Sequence, residues 1–200
     1  MLILALPRGG VPVGVEIAKA PHAPLDVLIV RKLGVPGQEE LAMGAIAADG
    51  MQVLNEPIVR TLGISGHAID SIAAKERVEL ERRERLYRGG RPAPEMANHT
   101  VILVDDGIAT GTTMRLAIAV LRKQRPARIV VAVPVAPVST CEEIQQQADE
   151  VVCLLTPEDF MAIGVWYEDF TQVSDAEVRG LLEQDYGRKG AVAASGHTTK

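Results

Sequence analysis

The 200-residue sequence has few aromatic residues. One Trp, three Tyr and two Phe make up 3% of the chain, although 47% of its residues are hydrophobic. A core built from this composition must be aliphatic. Parallel sheets that are covered on both faces have strands that read as runs of Val, Ile and Leu. The composition therefore favours an α/β protein, and the length is within the range of one medium domain.

The sequence also lacks an excess of positive charge, long apolar runs and grouped cysteines. Its 21 Lys and Arg against 26 Asp and Glu give a net charge of −5, which argues against a general nucleic-acid binder. No apolar run reaches the roughly 18 residues of a membrane span. The N-terminal "MLILAL" has no basic flank, so we read it as a strand and not as a signal peptide. Cys141 and Cys153 have no metal-ligand spacing. We therefore predict a cytoplasmic protein with free thiols and with no nucleic-acid or membrane partner.

Strand-like and helix-like segments alternate along most of the chain. Helical patterns are present at 11–20, 111–124 and 139–148. The aliphatic runs that are typical of buried strands are 2–6, 26–30, 100–104, 128–135 and 150–155. This alternation predicts βαβ units in an α/β fold: a mostly parallel twisted sheet with flanking helices.

Three segments lie outside this alternation. Residues 31–60 contain four glycines and suggest a mobile loop or hairpin, and 68–88 read as a long charged helix with a solvated face. Near the C-terminus, Ser174 and Glu177 match a capping box at the start of a short helix. We predict a single domain over 1–186 and a disordered tail over 187–200.

The stretch "VILVDDGIATGTT" (101–113) carries the clearest chemical signal. Its strand delivers Asp105 and Asp106 to the carboxyl edge of the sheet, where ligands bind in open α/β folds. A loop of Gly and Thr follows, and the helix after it presents free N–H groups and a positive dipole end to an anion. The loop is not a nucleotide P-loop, because no Lys follows its second Gly. A phosphorylated sugar satisfies both features, since the loop binds its phosphate and the carboxylates accept from its hydroxyls.

This stretch closely resembles the phosphoribosyl-pyrophosphate (PRPP) binding motif of type I phosphoribosyltransferases. The resemblance implies that Asp105 and Asp106 bind the ribose hydroxyls and contact Mg²⁺ through Mg-bound substrate or water. It also implies that the loop binds the 5′-phosphate through Ala109, Thr110, Gly111, Thr112 and Thr113.

The resemblance extends to two upstream stretches. "LPRGGVPVG" (6–14) is similar to the pyrophosphate loop of the family, with Arg8, Gly9 and Gly10 in the critical places. "LIVRKLGVPG" (28–37) is similar to the stretch before the flexible catalytic loop of adenine-type members, which would put Arg31 and Lys32 near the pyrophosphate. The implied reaction is a Mg²⁺-assisted displacement of pyrophosphate by a nitrogenous base. Arg8, Lys32, Asp105 and Asp106 are its catalytic residues, and a closing segment around 33–50 excludes water.

Departures from the family pattern leave the acceptor base unidentified. Ala109 stands where hypoxanthine/guanine-type members have an acid, and Ala48 where adenine-type members have a glutamate. Family members build a hood over the base from a segment before the first strand. Here either the start is trimmed or the hood comes only from the C-terminal end. For the second case we expect "VWYEDF" (165–170) to form it, with Trp166 stacking on the base.

Two readings of this pattern stay open. The first is a phosphoribosyltransferase, with homodimers as an expectation because they are common among relatives. The second is a regulatory module with the same fold that binds PRPP or a nucleotide without turnover. A phosphoacceptor signalling domain is disfavoured, because no other strand end clearly supplies the required Asp.

Overall fold

A computed structural model describes residues 1–47 and 50–195, with side chains up to residue 186. The strands are β1 (Leu2–Ala5), β2 (Leu25–Val27), β3 (Val30–Val35), β4 (Gln38–Ala47), β5 (Gln52–Leu54), β6 (Thr100–Val104), β7 (Arg128–Val135) and β8 (Glu150–Leu155). The helices are α1 (Gly10–Lys19), α2 (Glu56–Thr61), α3 (Gly66–Arg88), α4 (Thr112–Lys123), α5 (Val138–Gln145) and α6 (Asp175–Ser195), and a 3₁₀ turn covers Ile163–Trp166.

The central sheet has five parallel strands in the order β2-β1-β6-β7-β8. All five predicted aliphatic runs contribute to it, which confirms the predicted α/β class. The run at 26–30 is divided, because β2 ends at Val27 and β3 begins at Val30 in a different sheet. Along each strand, successive side chains point to opposite faces of the sheet, so each strand supplies both cores.

Helices cover the two faces of this sheet with separate aliphatic cores. One core joins Ile3 and Ala5 of β1 to α1, α3 and α6. The other core joins Leu2 and Leu4 of the same strand to α4 and α5. Burial of this apolar surface is the main driving force for the fold, at about 25 cal/mol per Å². Among the described residues, no helix combines the length and the apolar run needed to cross a membrane.

The glycine-containing segment at 31–60 forms a second, antiparallel sheet in the order β3-β4-β5, followed by α2. The hairpin of the prediction is present as β3 and β4, which turn at Gly37 with a φ of +77°. Val120 of α4 packs against Ala45 and Ala47 of β4. Helix α4 therefore contacts both sheets. Of the predicted closing segment, residues 48 and 49 lie outside the described residues, and with them the comparison made at Ala48.

The C-terminal helix begins as the sequence predicts. The Ser174 N–H donates to Glu177 Oε2 at 2.7 Å, and the Glu177 N–H donates to Ser174 Oγ at 3.2 Å, which is a reciprocal capping box. Helix α6 continues to Ser195, beyond the domain end predicted at 186. The last residues of the predicted tail, 196–200, lie outside the described residues.

Candidate functional site

The loop between β6 and α4 is placed at the carboxyl edge of the central sheet. Asp105 and Asp106 follow the last residue of β6, and the Ile108 N–H donates to the Val135 carbonyl at the end of β7, at 3.0 Å. Gly111 caps α4 with a φ of +72°, a left-handed conformation that suits glycine. The loop is thus fixed at both ends before any ligand binds.

The backbone amides of this loop are left without protein acceptors. In the described part of the chain, no hydrogen bond is donated by the N–H groups of residues 109–113. The loop carbonyls are bonded, since Thr140 Oγ1 donates to the Ala109 carbonyl at 3.0 Å and Arg115 Nη2 to the Thr110 carbonyl at 2.6 Å. A pocket of about 200 Å³ is lined by residues 105–114 and Ile163. Five neighbouring donors at a helix N-terminus are the geometry that binds phosphate.

The two acids beside the loop are desolvated. Burial, and after it the neighbouring Asp106 carboxylate, raise the pKa of Asp105 to about 8, although the Asp106 N–H partly offsets the rise by donating to Asp105 Oδ1 at 2.9 Å. Burial also raises the pKa of Asp106. The pair is half-buried, and neither carboxylate forms an ion pair with any residue that the structure describes. Such a pair favours ligands that supply hydroxyl donors or a cation.

The Gly9–Gly10 turn packs directly on these acids. A β-carbon on Gly9 would clash with the Asp106 carboxylate, 2.5 Å from its Cγ, and one on Gly10 would lie 2.7 Å from the Val104 carbonyl oxygen. Glycine is therefore needed at both positions for the turn to lie this close to Asp106 and to the end of β6. The Gly10 N–H already donates to the Leu6 carbonyl at 3.1 Å, so Gly10 permits packing and does not offer a free donor.

Arg8 borders a neighbouring pocket of about 580 Å³ together with Gly9, Asp106, Tyr167 and Phe170. The peptide bond between Pro7 and Arg8 is cis. The Arg8 guanidinium lies 3.8 Å from Asp175, a carboxylate that also accepts from the Tyr87 hydroxyl at 2.6 Å. Because Asp106 lines both this pocket and the loop pocket, the two spaces adjoin.

Arg31 and Lys32 line a third pocket, of about 410 Å³, on the other side of the loop. Thr113 is common to this pocket and the loop pocket. Arg31 pairs with Glu76 at 2.7 Å, and Lys32 pairs with the fully exposed Glu40 at 3.1 Å. Both cations are therefore paired with carboxylates, and neither lines the two pockets that contain Asp106.

The segment predicted to form a hood does lie beside the acid pair, but through different aromatic residues. The Tyr167 hydroxyl donates to the Asp106 carbonyl at 2.6 Å, and its ring lies 5.1 Å from that of Phe170. Trp166 has 39% of its surface exposed and is absent from the walls of the described pockets. The stacking role predicted for Trp166 stays a prediction, with Tyr167 and Phe170 as nearer candidates.

The acid pair suits a metal that arrives with its substrate. Among the described residues, no group of three or more His, Cys, Asp or Glu side chains could hold a metal ion. Mg²⁺ usually keeps several waters and binds proteins through one or two carboxylates plus substrate phosphates. Asp105 and Asp106 could supply that number of oxygen ligands, directly or through water.

A family model described as "Phosphoribosyl transferase domain" matches residues 1–169. The chain belongs to this family.

Its relatives include one protein found in two Mycobacterium tuberculosis strains, CDC 1551 / Oshkosh and ATCC 25618 / H37Rv, provisionally named a phosphoribosyl transferase. The identity is 46% over 198 residues, or 98% of this chain. The chain spans 45% of the length of these relatives. The crystal structure of TT1426 from Thermus thermophilus has a TM-score of 0.84 at 41% identity, and the match covers 92% of this chain and 86% of that one. This similarity confirms the predicted fold.

Several residues of the site were not predicted from the sequence. Tyr167 and Phe170 were within the predicted hood segment, but nothing in the sequence favoured them over Trp166. Arg115 and Thr140 bond to the loop carbonyls from α4 and α5, and Asp175 contacts Arg8 from α6. Thr140 and Asp175 are 31 and 167 residues from their partners, so no local motif links them.

Proposed function

We propose that the chain binds PRPP and transfers its phosphoribosyl group to a nitrogenous base. The observation that carries this proposal is the set of unbonded amides over residues 109–113 beside a half-buried acid pair. This combination matches a single ligand with a phosphate and vicinal hydroxyls. Membership of the phosphoribosyl transferase domain family supports the same conclusion.

Ribose 5-phosphate would be held by two different kinds of group. The loop amides and the dipole of α4 bind the 5′-phosphate. Asp105 and Asp106 accept from the ribose hydroxyls, and these charge-assisted bonds favour the ionised carboxylates. Binding thus offsets the desolvation that keeps the pKa of Asp105 near 8 in the free protein.

The pyrophosphate would lie between the Gly9–Gly10 turn and the basic strand β3. Arg8 lies at that turn, and Lys32 exchanges Glu40 for a phosphate oxygen, which costs little because Glu40 is fully exposed. In the reaction the bond from the anomeric carbon to the pyrophosphate oxygen breaks, and a bond to a ring nitrogen of the base forms. Mg²⁺, when bound with the substrate, neutralises charge on the departing oxygens. Arg8, Lys32 and the backbone amides stabilise the same charge.

The acceptor base would bind in the pocket beside Asp106, where Tyr167 and Phe170 offer ring faces. Closure of the segment around 33–50 would keep water from the activated sugar. The cytoplasm is the proposed location, where Cys141 and Cys153 would stay reduced as the free thiols seen here.

The proposal is tested by measuring pyrophosphate release from PRPP and Mg²⁺ with a panel of purine, pyrimidine and other nitrogenous bases. We expect release with at least one base. Saturable PRPP binding without release under any base would favour the regulatory module. Absence of PRPP binding would overturn the proposal.

The ribose site is tested with the double variant Asp105→Asn/Asp106→Asn. We expect it to lose PRPP binding at least a hundredfold, because two charge-assisted bonds of roughly 1.5–3 kcal/mol each are removed. Asp70→Asn/Asp159→Asn is the matched control, since it makes the same change in charge at exposed positions. Equal affinities for the two double variants would show that the ribose lies elsewhere.

A further inference from the structure

Two side chains outside the binding motif contact the carbonyls of the phosphate loop. Thr140, on α5, donates to the Ala109 carbonyl at 3.0 Å, and Arg115, on the first turn of α4, donates to the Thr110 carbonyl at 2.6 Å. Glu143, one turn further along α5, accepts from Arg115 Nη1 at 2.8 Å. Two side chains from two helices thus bind two successive peptide groups, and a third, Glu143, binds one of those side chains.

Because the peptide bond is planar, a contact that fixes a carbonyl also fixes the direction of the next N–H. In a trans peptide, the carbonyl of one residue and the N–H of the next point in opposite directions. Among the described peptide bonds, only the one between Pro7 and Arg8 is cis, so the loop peptides are trans. A carbonyl of Ala109 held toward α5 therefore directs the N–H of Thr110 away from α5. The carbonyl of Thr110, held by Arg115, directs the N–H of Gly111 in the same manner.

The absence of a side chain at position 111 allows both contacts. A β-carbon there would lie 2.9 Å from Arg115 Nη1 and 3.0 Å from Thr140 Cγ2, so the two side chains close on Gly111 from different elements. Thr140 is buried, with 8% of its surface exposed. Its hydroxyl is therefore shielded from competing water, and its bond to the loop is correspondingly persistent.

We propose that Thr140 and Arg115 are positioning residues that preorganise the loop amides for the phosphate, with Glu143 orienting Arg115. The group that these amides would bind is a phosphate monoester. Without these contacts the peptide groups at 109–111 can rotate, and phosphate binding must then overcome the cost of ordering them. This inference deepens the proposed function and rests on it for the identity of the ligand.

The decisive variant is Thr140→Val, which removes the hydroxyl, keeps the shape and leaves the charge unchanged. We expect the affinity for ribose 5-phosphate, measured by calorimetry, to fall about five- to tenfold, as the loss of one neutral hydrogen bond implies. Affinity for pyrophosphate alone should stay within about twofold, because its proposed site is at the Gly9–Gly10 turn. Thr140→Ser keeps the hydroxyl and should retain most of the wild-type affinity.

Arg115 is tested by Arg115→Met against Arg122→Met. Arg122 lies on the same helix and makes the same kind of contacts, to Asp149 at 2.9 Å and to the Gln147 carbonyl at 2.9 Å, but away from the loop. We expect only the change at Arg115 to weaken ribose 5-phosphate binding. Similar losses for the two variants would overturn the role of Arg115.

Hydrogen exchange in the ligand-free protein separates this inference from the proposed function. The hydrogen-bonded amides at the two ends of the loop, Ile108 N–H to the Val135 carbonyl at 3.0 Å and Arg115 N–H to the Gly111 carbonyl at 2.9 Å, should exchange faster in Thr140→Val than in wild type, whatever the ligand is. Unchanged exchange and unchanged ribose 5-phosphate affinity would overturn the positioning role. An equal loss of affinity in the Val and Ser variants would also overturn it, because packing and not the hydroxyl would then be responsible. If wild type bound no phosphorylated sugar but exchange still increased, the positioning would stand and the proposed function would fail.

Discussion

Gly9 lies against the Asp106 side chain so closely that a β-carbon at position 9 would come within 2.5 Å of the carboxyl carbon. The turn before α1 and the acids after β6 therefore form one packed unit, although they are almost a hundred residues apart in the sequence. Any side chain at position 9 must displace either the turn or the carboxylate.

The variant Gly9→Ala should therefore impair ligand binding. We expect PRPP affinity to fall at least tenfold, because Asp106 would be rotated away from the ribose. Calorimetric titration measures this loss. Gly66→Ala is a suitable control, since no atom lies within 4 Å of the β-carbon position there. A Gly9→Ala protein with wild-type affinity would contradict the assignment of Asp106 to the ribose.

The raised pKa of Asp105 predicts how stability depends on pH. The folded pKa is about 8, whereas an unfolded Asp titrates near 4. Between these values the folded chain holds a proton that the unfolded chain releases, so the free energy of unfolding falls as the pH rises toward 8. Asp105→Asn should remove this decline and stabilise the free protein at pH 8 by roughly 1 kcal/mol or more.

Urea unfolding at pH 5.5 and pH 8 gives the change in unfolding free energy between the two pH values for each protein. The effect is the difference between the change in wild type and the change in Asp105→Asn. Asp159→Asn, at an exposed position, controls for the general effect of losing one carboxylate. Identical pH dependence in wild type and Asp105→Asn would show that the carboxyl is hydrated in solution.

The three tyrosines predict unusual behaviour at alkaline pH. Burial, together with a hydrogen bond to Asp175, raises the pKa of Tyr87 to about 12. Burial likewise raises the pKa of Tyr167 to about 12, assisted by the charges of Asp106 and Asp105, and it raises the pKa of Tyr186. The unfolded chain ionises near pH 10, so stability should decline above that pH as the unfolded state loses protons first.

Ultraviolet absorbance of tyrosinate and circular dichroism, followed together from pH 9 to pH 12, check this expectation. Tyrosinate should appear only as the folded structure is lost. In guanidinium the same chain should ionise near pH 10. Ionisation at pH 10 with intact circular dichroism would contradict the buried placement of these hydroxyls.

A buried ion pair attaches the end of α3 to β2. Arg88 Nε donates to Asp26 Oδ1 at 3.2 Å and Arg88 Nη2 to the Val27 carbonyl at 2.9 Å, and Glu84 also contacts the guanidinium. Both Arg88 and Asp26 are almost fully buried. Arg88→Met should therefore cost about 3–5 kcal/mol of unfolding free energy, because it leaves Asp26 as an uncompensated buried charge.

Chemical denaturation gives this cost directly. Arg85→Met removes an exposed ion pair to Glu81 on the same helix and should change stability by less than about 0.5 kcal/mol. If the two variants lost similar amounts of stability, the buried pair would not be the attachment that its geometry indicates.

The placement of the acid pair and the Gly/Thr loop at the sheet edge could be predicted because all of these residues are adjacent in the sequence. A strand, two acids, a Gly/Thr loop and a helix start within thirteen residues fix their mutual geometry by chain connectivity alone. The parallel sheet could be predicted for a similar reason, since its strands are separate aliphatic runs. The upstream turn followed from its resemblance to a known motif.

The rest depends on tertiary contacts that no local pattern encodes. The antiparallel sheet of β3, β4 and β5 was read as a loop or hairpin, because β4 alternates poorly and its last five residues are all buried. Likewise, neighbouring aromatic positions look equivalent in sequence. Only folding shows that Tyr167 is directed at Asp106 while Trp166 is not among the pocket residues.

Helix α4 begins at the Gly/Thr loop and, two turns later, packs through Val120 against Ala45 and Ala47 of the second sheet. Because a helix moves largely as one body, we expect a small displacement of its first turn to alter the contact with those two alanines. Neither alanine lines the loop pocket. Their methyl groups are therefore natural spectroscopic reporters. Isotope labels placed there would register the arrival of a ligand without perturbing a single atom that touches it.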